Sequence, residues 1–288
     1  MRLLILMLLL PLACQAEVVH REKSLYQDIS VIDSADRRCL AFATKRQQLN
    51  QSCRFHDSEA LVFPYTRMSL AGLLVSPRPE RILIVGLGGG TLPTLLADLF
   101  PEATLEVVEI DPAVTRVARD YFGFVATPKM TVREMDARVF VKRAGLKGQR
   151  FDYVLLDAFN GDYIPEHLMT REFLEEIKAL LSDDGVLVAN TFSSSRLYHH
   201  ESVTYDAVFG PYFNLRTAGS TSRVIVAAKG PLPDKTVLKA RARDLAEALA
   251  PYGVDAAAFP AMMDSRPDWD SSTRPLTDQY SPANLLNH

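Results

Sequence analysis

The chain has 288 residues, 48% of them apolar and 23% charged, a composition that excludes a disordered chain, a collagen-like repeat and a disulfide-dense miniprotein. With 32 Lys plus Arg against 35 Asp plus Glu the formal charge is -3, so no basic excess can displace counterions from a nucleic-acid backbone and no nucleic-acid partner is expected. The one long apolar run, residues 3–12, falls short of the ~20 residues a helix needs to cross a bilayer, which excludes a polytopic membrane protein.

Arg2 precedes that run and Ala13-Cys14-Gln15-Ala16 follows it, the charged, apolar and small-residue parts of a secretory signal. Cleavage after Ala16 and export to a periplasm or the exterior are expected; lipid attachment at Cys14 is the alternative, and the only route to a membrane. Export would place Cys39 and Cys53 in an oxidising compartment. Their flanks, 39–42 and 51–55, have the character of facing strands, so a cross-strand cystine is expected, with two buried free thiols as the alternative.

Residues 17–62 read as a small β subdomain, with strand-like runs at 28–33 and 39–43 between polar turns. Apolar residues at helical spacing fill 63–75, and the prolines of Ser76-Pro-Arg-Pro79 force an extended connector into the main domain, which takes in 63–288. Strand-like runs then alternate with amphipathic stretches: 81–85 with 92–100, 105–110 with 113–121, 130–134 with 138–144, 153–156 with 171–181, and 186–189 with 199–209. This alternation predicts a doubly wound, mostly parallel α/β sheet of the Rossmann type, with helices over both faces. Runs at 213–216 and 223–228 flank a Gly219-Ser-Thr turn and predict an antiparallel edge hairpin. One more amphipathic helix follows over 231–250, with 235–250 as a solvated face.

Ligands of such sheets bind at the carboxyl ends of the strands. The first strand of the main domain runs into Gly86, Gly88 and Gly90, a turn whose backbone can approach a ligand and whose following helix presents free N–H groups. Thr91 stands where a dinucleotide fold needs its third glycine, which points away from NAD and toward an S-adenosylmethionine-type ligand. Glu109 ends the next strand, placed to accept both ribose hydroxyl protons, while Asp111-Pro112 is a helix cap. Asp136 ends the third strand, either to accept from an adenine amino group or to cap a helix. The fourth strand ends at Asp157 and leads into Asn160 and Asp162, where a general base or an amine anchor would lie, or simply a polar turn. Thr170 reads as a helix cap, His167 as a solvated loop residue and 193–195 as a polar turn. His199-His200 lacks a third ligand at metal-site spacing, so no metal is expected.

These residues resemble the spermidine and spermine synthases, the polyamine aminopropyltransferases that use decarboxylated S-adenosylmethionine. Residues 24–31 resemble the family's N-terminal strand, whose glutamine, here Gln27, contacts the nucleoside. Tyr65 falls where the family keeps a substrate-lining tyrosine, Glu109 matches its ribose-binding glutamate, Asp136-Ala137 its adenine-binding Asp-Gly, and Asp157 the first aspartate of its active-site loop. The resemblance implies a small-molecule polyamine substrate, decarboxylated S-adenosylmethionine or S-adenosylmethionine as co-substrate and no metal, and it is compatible with a homodimer. Two positions depart from the family: Gly89 stands where an aspartate holds the aminopropyl amine, and Asn160 where an aspartate helps remove the acceptor's proton. Transfer is therefore expected to be slow, with Asp162 as a stand-in base, and Gly89→Asp with Asn160→Asp is expected to raise it. A nucleoside-binding or scaffolding protein that has lost the chemistry, or a small-molecule methyltransferase, are the alternatives.

Overall fold

The computed structural model of the chain describes residues 16–44, 47–159 and 163–282. The signal-like segment with Cys14, and the loop residues Asn160 and Asp162, lie outside the described residues.

Four strands, β1 (Glu17–Lys23), β2 (Asp28–Asp33), β3 (Arg37–Ala43) and β4 (Gln48–Phe55), form an antiparallel meander in sequence order. The strand expected over 24–31 is divided. Residues 24–27 turn between β1 and β2, closed by Ser24 N–H donating to the Gln27 carbonyl at 2.9 Å. β1 escaped the sequence reading because Val18 and Val19 stay 37% and 38% exposed, so no buried alternation marks it. Cys39 and Cys53 face each other in the β3–β4 register and form a disulfide.

The expected helix over 63–75 is a short α1 (Pro64–Ser69) followed by a 3-10 turn, Leu70–Leu74. Tyr153 explains the change, because its buried hydroxyl donates to the Ser69 carbonyl at 2.6 Å, where a regular helix would use that acceptor itself. A Cβ on Gly72 would stand 2.4 Å from Val188 and 2.9 Å from the Tyr153 ring, so only glycine lets the turn press on the sheet.

The main sheet has the order β10-β11-β9-β8-β5-β6-β7. Its parallel part comprises β5 (Arg81–Val85), β6 (Thr104–Glu109), β7 (Met130–Glu134), β8 (Phe151–Leu156) and β9 (Leu181–Phe192). The hairpin β10 (Phe213–Arg216) and β11 (Ser222–Ala228) is the antiparallel edge. α2 (Thr91–Leu99) and α7 (Lys235–Leu249) join α1 over one face, and α4 (Ala137–Leu146), α5 (Arg171–Leu180) and α6 (Tyr198–Phe209) cover the other. α3 (Pro112–Phe122) has a different partner. Its Ala113, Val114, Val117 and Phe122 pack on Ile29, Val31, Leu40 and Phe42 of the N-terminal sheet, which is thereby fastened beside the strand ends. The winding direction reverses between β5 and β8, and a cleft opens at their carboxyl ends.

Candidate active site

Five parallel strands deliver the site from their ends. After β5 the chain turns at Gly86, whose φ is +98° and whose Cβ, if present, would stand 2.2 Å from the Asp157 carbonyl oxygen; no other residue fits there. Gly88 completes the turn and Gly90 caps α2. Glu109, 9% exposed at the end of β6, accepts the Leu87 N–H on one oxygen and the Asp111 N–H on the other, both at 3.0 Å. Burial raises its pKa against the pull of these N–H groups. The carboxylate is thus held rigidly on the wall of a cavity of about 260 Å³ that also meets Gln27, Tyr65, Asp136 and Asp157.

Asp111 caps α3 by accepting from Ala113 N–H at 2.9 Å, as expected, and also accepts the Ser24 hydroxyl at 2.5 Å. That bond ties the turn carrying Tyr26 and Gln27 to the cleft. Of the two readings of Asp136 the helix cap is seen, Oδ1 accepting from Val139 N–H, and the residue also lines the cleft. His167 is exposed, as its reading as a solvated residue expects, on a 3-10 turn of residues 166–168. Its Nε2 lies 2.9 Å from Asp136 Oδ2, and it forms part of the cleft wall. Thr170 caps α5. His199 and His200 bond to backbone groups of Asp270 and Arg274, and the described residues hold no cluster of three metal-ligating side chains.

Asp157 lies just past β8, where the Asn190 amide donates to its Oδ1 at 2.8 Å and Tyr65, whose hydroxyl donates to the Gln51 carbonyl at 3.3 Å, stands beside the same carboxylate. Desolvation pushes its carboxyl up to about 7; the bonds from Asn190 and Tyr65 oppose this and the Glu109 charge adds to it. Asn190 and Ser52 were missed in the sequence. Asn190 was detectable, since it approaches the end of β9 as Glu109 and Asp157 mark the ends of theirs; Ser52, buried on β4 beside the disulfide, carried no signal. A Cβ at Gly89 would meet the Phe122 ring and the Ser52 hydroxyl, both at 2.9 Å. An aspartate at position 89 would therefore have to move the Phe122 ring or the Ser52 side chain.

A second cavity, about 510 Å³, adjoins the first along Gln51, Tyr65 and Phe159. Fold and site together define an α/β domain of the methyltransferase type, whose strand-end cleft opens into a second cavity. A family profile, the Spermine/spermidine synthase domain, matches residues 63–218. A protein of Vibrio vulnificus named polyamine aminopropyltransferase is 53% identical over 275 residues, covering 94% of this chain and 92% of that protein. The chain belongs to the spermine/spermidine synthase family. A Bos taurus protein named eEF1A lysine and N-terminal methyltransferase is 31% identical over 149 residues, but these span 46% of this chain and only 21% of that protein. The crystal structure of a probable spermidine synthase from Corynebacterium glutamicum shares the fold, with a TM-score of 0.66, 20% identity, and coverage of 90% of this chain and 99% of that one.

Proposed function

We propose that the chain is a polyamine aminopropyltransferase with decarboxylated S-adenosylmethionine as donor. The observation that carries this reading is the placement of Asp157, a carboxylate on the wall of the first cavity that accepts from Asn190 on the wall of the second, in a chain of this family. The first cavity suits the donor by its chemistry. Glu109 and Asp136 offer acceptors for ribose hydroxyls and an adenine amine, and the glycine turn lets the backbone come close.

In the transfer, the lone pair of a neutral amine nitrogen forms a bond to the propyl carbon next to sulfur. The carbon–sulfur bond breaks with its electron pair going to sulfur, methylthioadenosine leaves as a neutral thioether, and the new secondary ammonium gives up a proton. Asp157 is the described group suited to take it, because a carboxyl near 7 is partly ionised at neutral pH. Tyr65 and Asn190 orient that carboxylate, and alignment in the cleft supplies the rest.

The test is to incubate the purified protein with decarboxylated S-adenosylmethionine and putrescine and to follow methylthioadenosine and spermidine together. Stoichiometric release of both is expected; neither product above the protein-free control overturns the reading. One observation favours methyl transfer as the second reading: at Gly89 the Ser52 hydroxyl and the Phe122 ring take the space of the amine-holding aspartate. Methyl transfer would yield S-adenosylhomocysteine from S-adenosylmethionine in the same assay. Export belongs to the proposal too, supported by Arg2, the apolar run 3–12 and the disulfide.

A further inference from the structure

The N-terminus of α2 meets the first cavity without a side-chain cap. Gly90, its cap residue, has φ +79°, no acidic residue stands in the first turn, and Pro93 has no N–H. The N–H groups of Thr91 and Leu92, two residues on the cavity wall, are the donors that this helix of 9 residues presents there. Ser52 stands over the turn that leads into it. Its hydroxyl oxygen lies 3.6 Å from the place of a Cβ on Gly88 and 2.9 Å from that on Gly89. The residue is 7% exposed and lines the same cavity, and among the described residues its hydroxyl has no hydrogen-bond partner. A buried hydroxyl calls for a partner, and a molecule bound in the cavity is placed to supply one.

A ligand with adenine at Asp136 and ribose at Glu109, beside the ends of β7 and β6, brings its sulfonium tail to the next strand end, the glycine turn of β5. Gly86 abuts Asp157 and Gly88 abuts Ser52, so the tail crosses the turn between those two residues. The N–H and O–H donors on the Ser52 side suit a carboxylate. The Asp157 carboxylate on the other side suits an ammonium. A tail that ends in both groups, the α-amino acid of S-adenosylmethionine, is matched at both, and glycine at position 89 sets no charge against its carboxylate.

Resting on the nucleoside placement and the amine chemistry of the aminopropyl-transfer reading, we propose that Ser52 and the α2 N-terminus form a carboxylate site, so that S-adenosylmethionine itself is a second donor and gives its 3-amino-3-carboxypropyl group to the acceptor amine. The amine lone pair bonds to the propyl carbon next to sulfur. The bond from that carbon to sulfur breaks with its electron pair going to sulfur, and methylthioadenosine leaves as a neutral thioether. The new ammonium passes one proton to Asp157, and the product carries an added amino-acid arm.

The experiment offers the wild-type protein putrescine with either donor and identifies the products by mass. With S-adenosylmethionine, methylthioadenosine and N-(3-amino-3-carboxypropyl)putrescine are expected together, above the protein-free control. Calorimetry isolates the tail. Ser52→Ala is expected to weaken S-adenosylhomocysteine binding about tenfold, the loss of one hydrogen bond to a charged group, and to leave the affinity for methylthioadenosine, which has no carboxylate, unchanged. Transfer from the decarboxylated donor with none from S-adenosylmethionine overturns the inference and leaves the transfer reading standing. An equal effect of Ser52→Ala on the two ligands also overturns it. S-adenosylhomocysteine formed from S-adenosylmethionine, in place of methylthioadenosine, overturns it in favour of methyl transfer. No product from either donor overturns both the inference and the transfer reading.

Discussion

Asp157 is a compromise among its neighbours, and its pH behaviour follows from that. Its carboxyl moves from 3.8 to about 7 because the site desolvates it, although Asn190 and Tyr65 both favour the charged form. Activity should therefore climb with pH through an inflection near 7 as the base ionises, and Asp157→Asn should remove that limb and lower kcat by ~10²- to 10⁴-fold. The stability sign is the opposite. A carboxyl whose pKa is higher in the fold binds its proton more tightly there, so its contribution is complete below 3.8 and is lost as pH rises through about 7. The advantage of Asp157→Asn over wild type should thus grow between pH 5 and 8, by a few kcal/mol at most. Glu201, also raised to about 7 by burial, is common to both proteins and cancels in the difference. Denaturant titrations at both pH values check this. Gly89 gives a second residue-level prediction: Gly89→Asp must displace Phe122 or Ser52, at a cost of about 1–3 kcal/mol, and should weaken methylthioadenosine binding instead of raising turnover.

At the scale of elements, the C-terminal segment acts as a strap across α4 and α5. Asp278 accepts both Arg138 nitrogens at 2.6 and 2.7 Å and the Thr170 hydroxyl at 2.8 Å, while its own N–H donates to Glu172. Arg138 also grips Glu176 and reaches the carbonyl of His167, the residue paired with Asp136 on the cleft wall. Asp278→Ala should loosen that wall, raising the Kd for methylthioadenosine about three- to tenfold in calorimetry with kcat at saturating donor unchanged. The sequence hid this strap, since 276–282 has no period and its partners lie over a hundred residues away. It also hid the polar side of α6, where Glu201 and Ser202 are buried against the buried Arg223. What was legible was periodic: the parallel strands announced themselves as apolar runs covered on both faces, and the caps at Asp111, Asp136 and Thr170 by local chemistry alone. Strand ends then placed Gly86, Glu109, Asp136 and Asp157 in one cleft. Tyr65 was placed there by the family resemblance alone, and Asn190, near the end of β9, was left out although its position was legible.

For the whole molecule, the small sheet is what gives the cleft at the strand ends its second wall. It is held by α3 packing, by Arg38 and Arg54 donating to the Tyr121 and Phe122 carbonyls, and by the ion pair of Glu22 with Arg116. Its β4 edge supplies Gln51 and Ser52 to the cleft wall next to Cys53. A cross-link closing a loop of sequence separation 14 restricts the unfolded chain by about 3 kcal/mol in the chain-entropy account. Reduction, or Cys39→Ala with Cys53→Ala, should therefore lower Tm by about 5–10 °C. Because the bond lies beside cleft residues, the same change should weaken methylthioadenosine binding more than Glu109-dependent ribose recognition alone explains. A double-mutant cycle with Glu109→Gln separates the two contributions. The proposed export would make the bond sustainable, and intact mass of protein expressed from the full sequence reads both at once: a chain shortened at Ala16 and lighter by two hydrogen atoms is expected. A full-length product carrying two alkylatable thiols, with unchanged Tm on adding reductant, would remove export and the staple together.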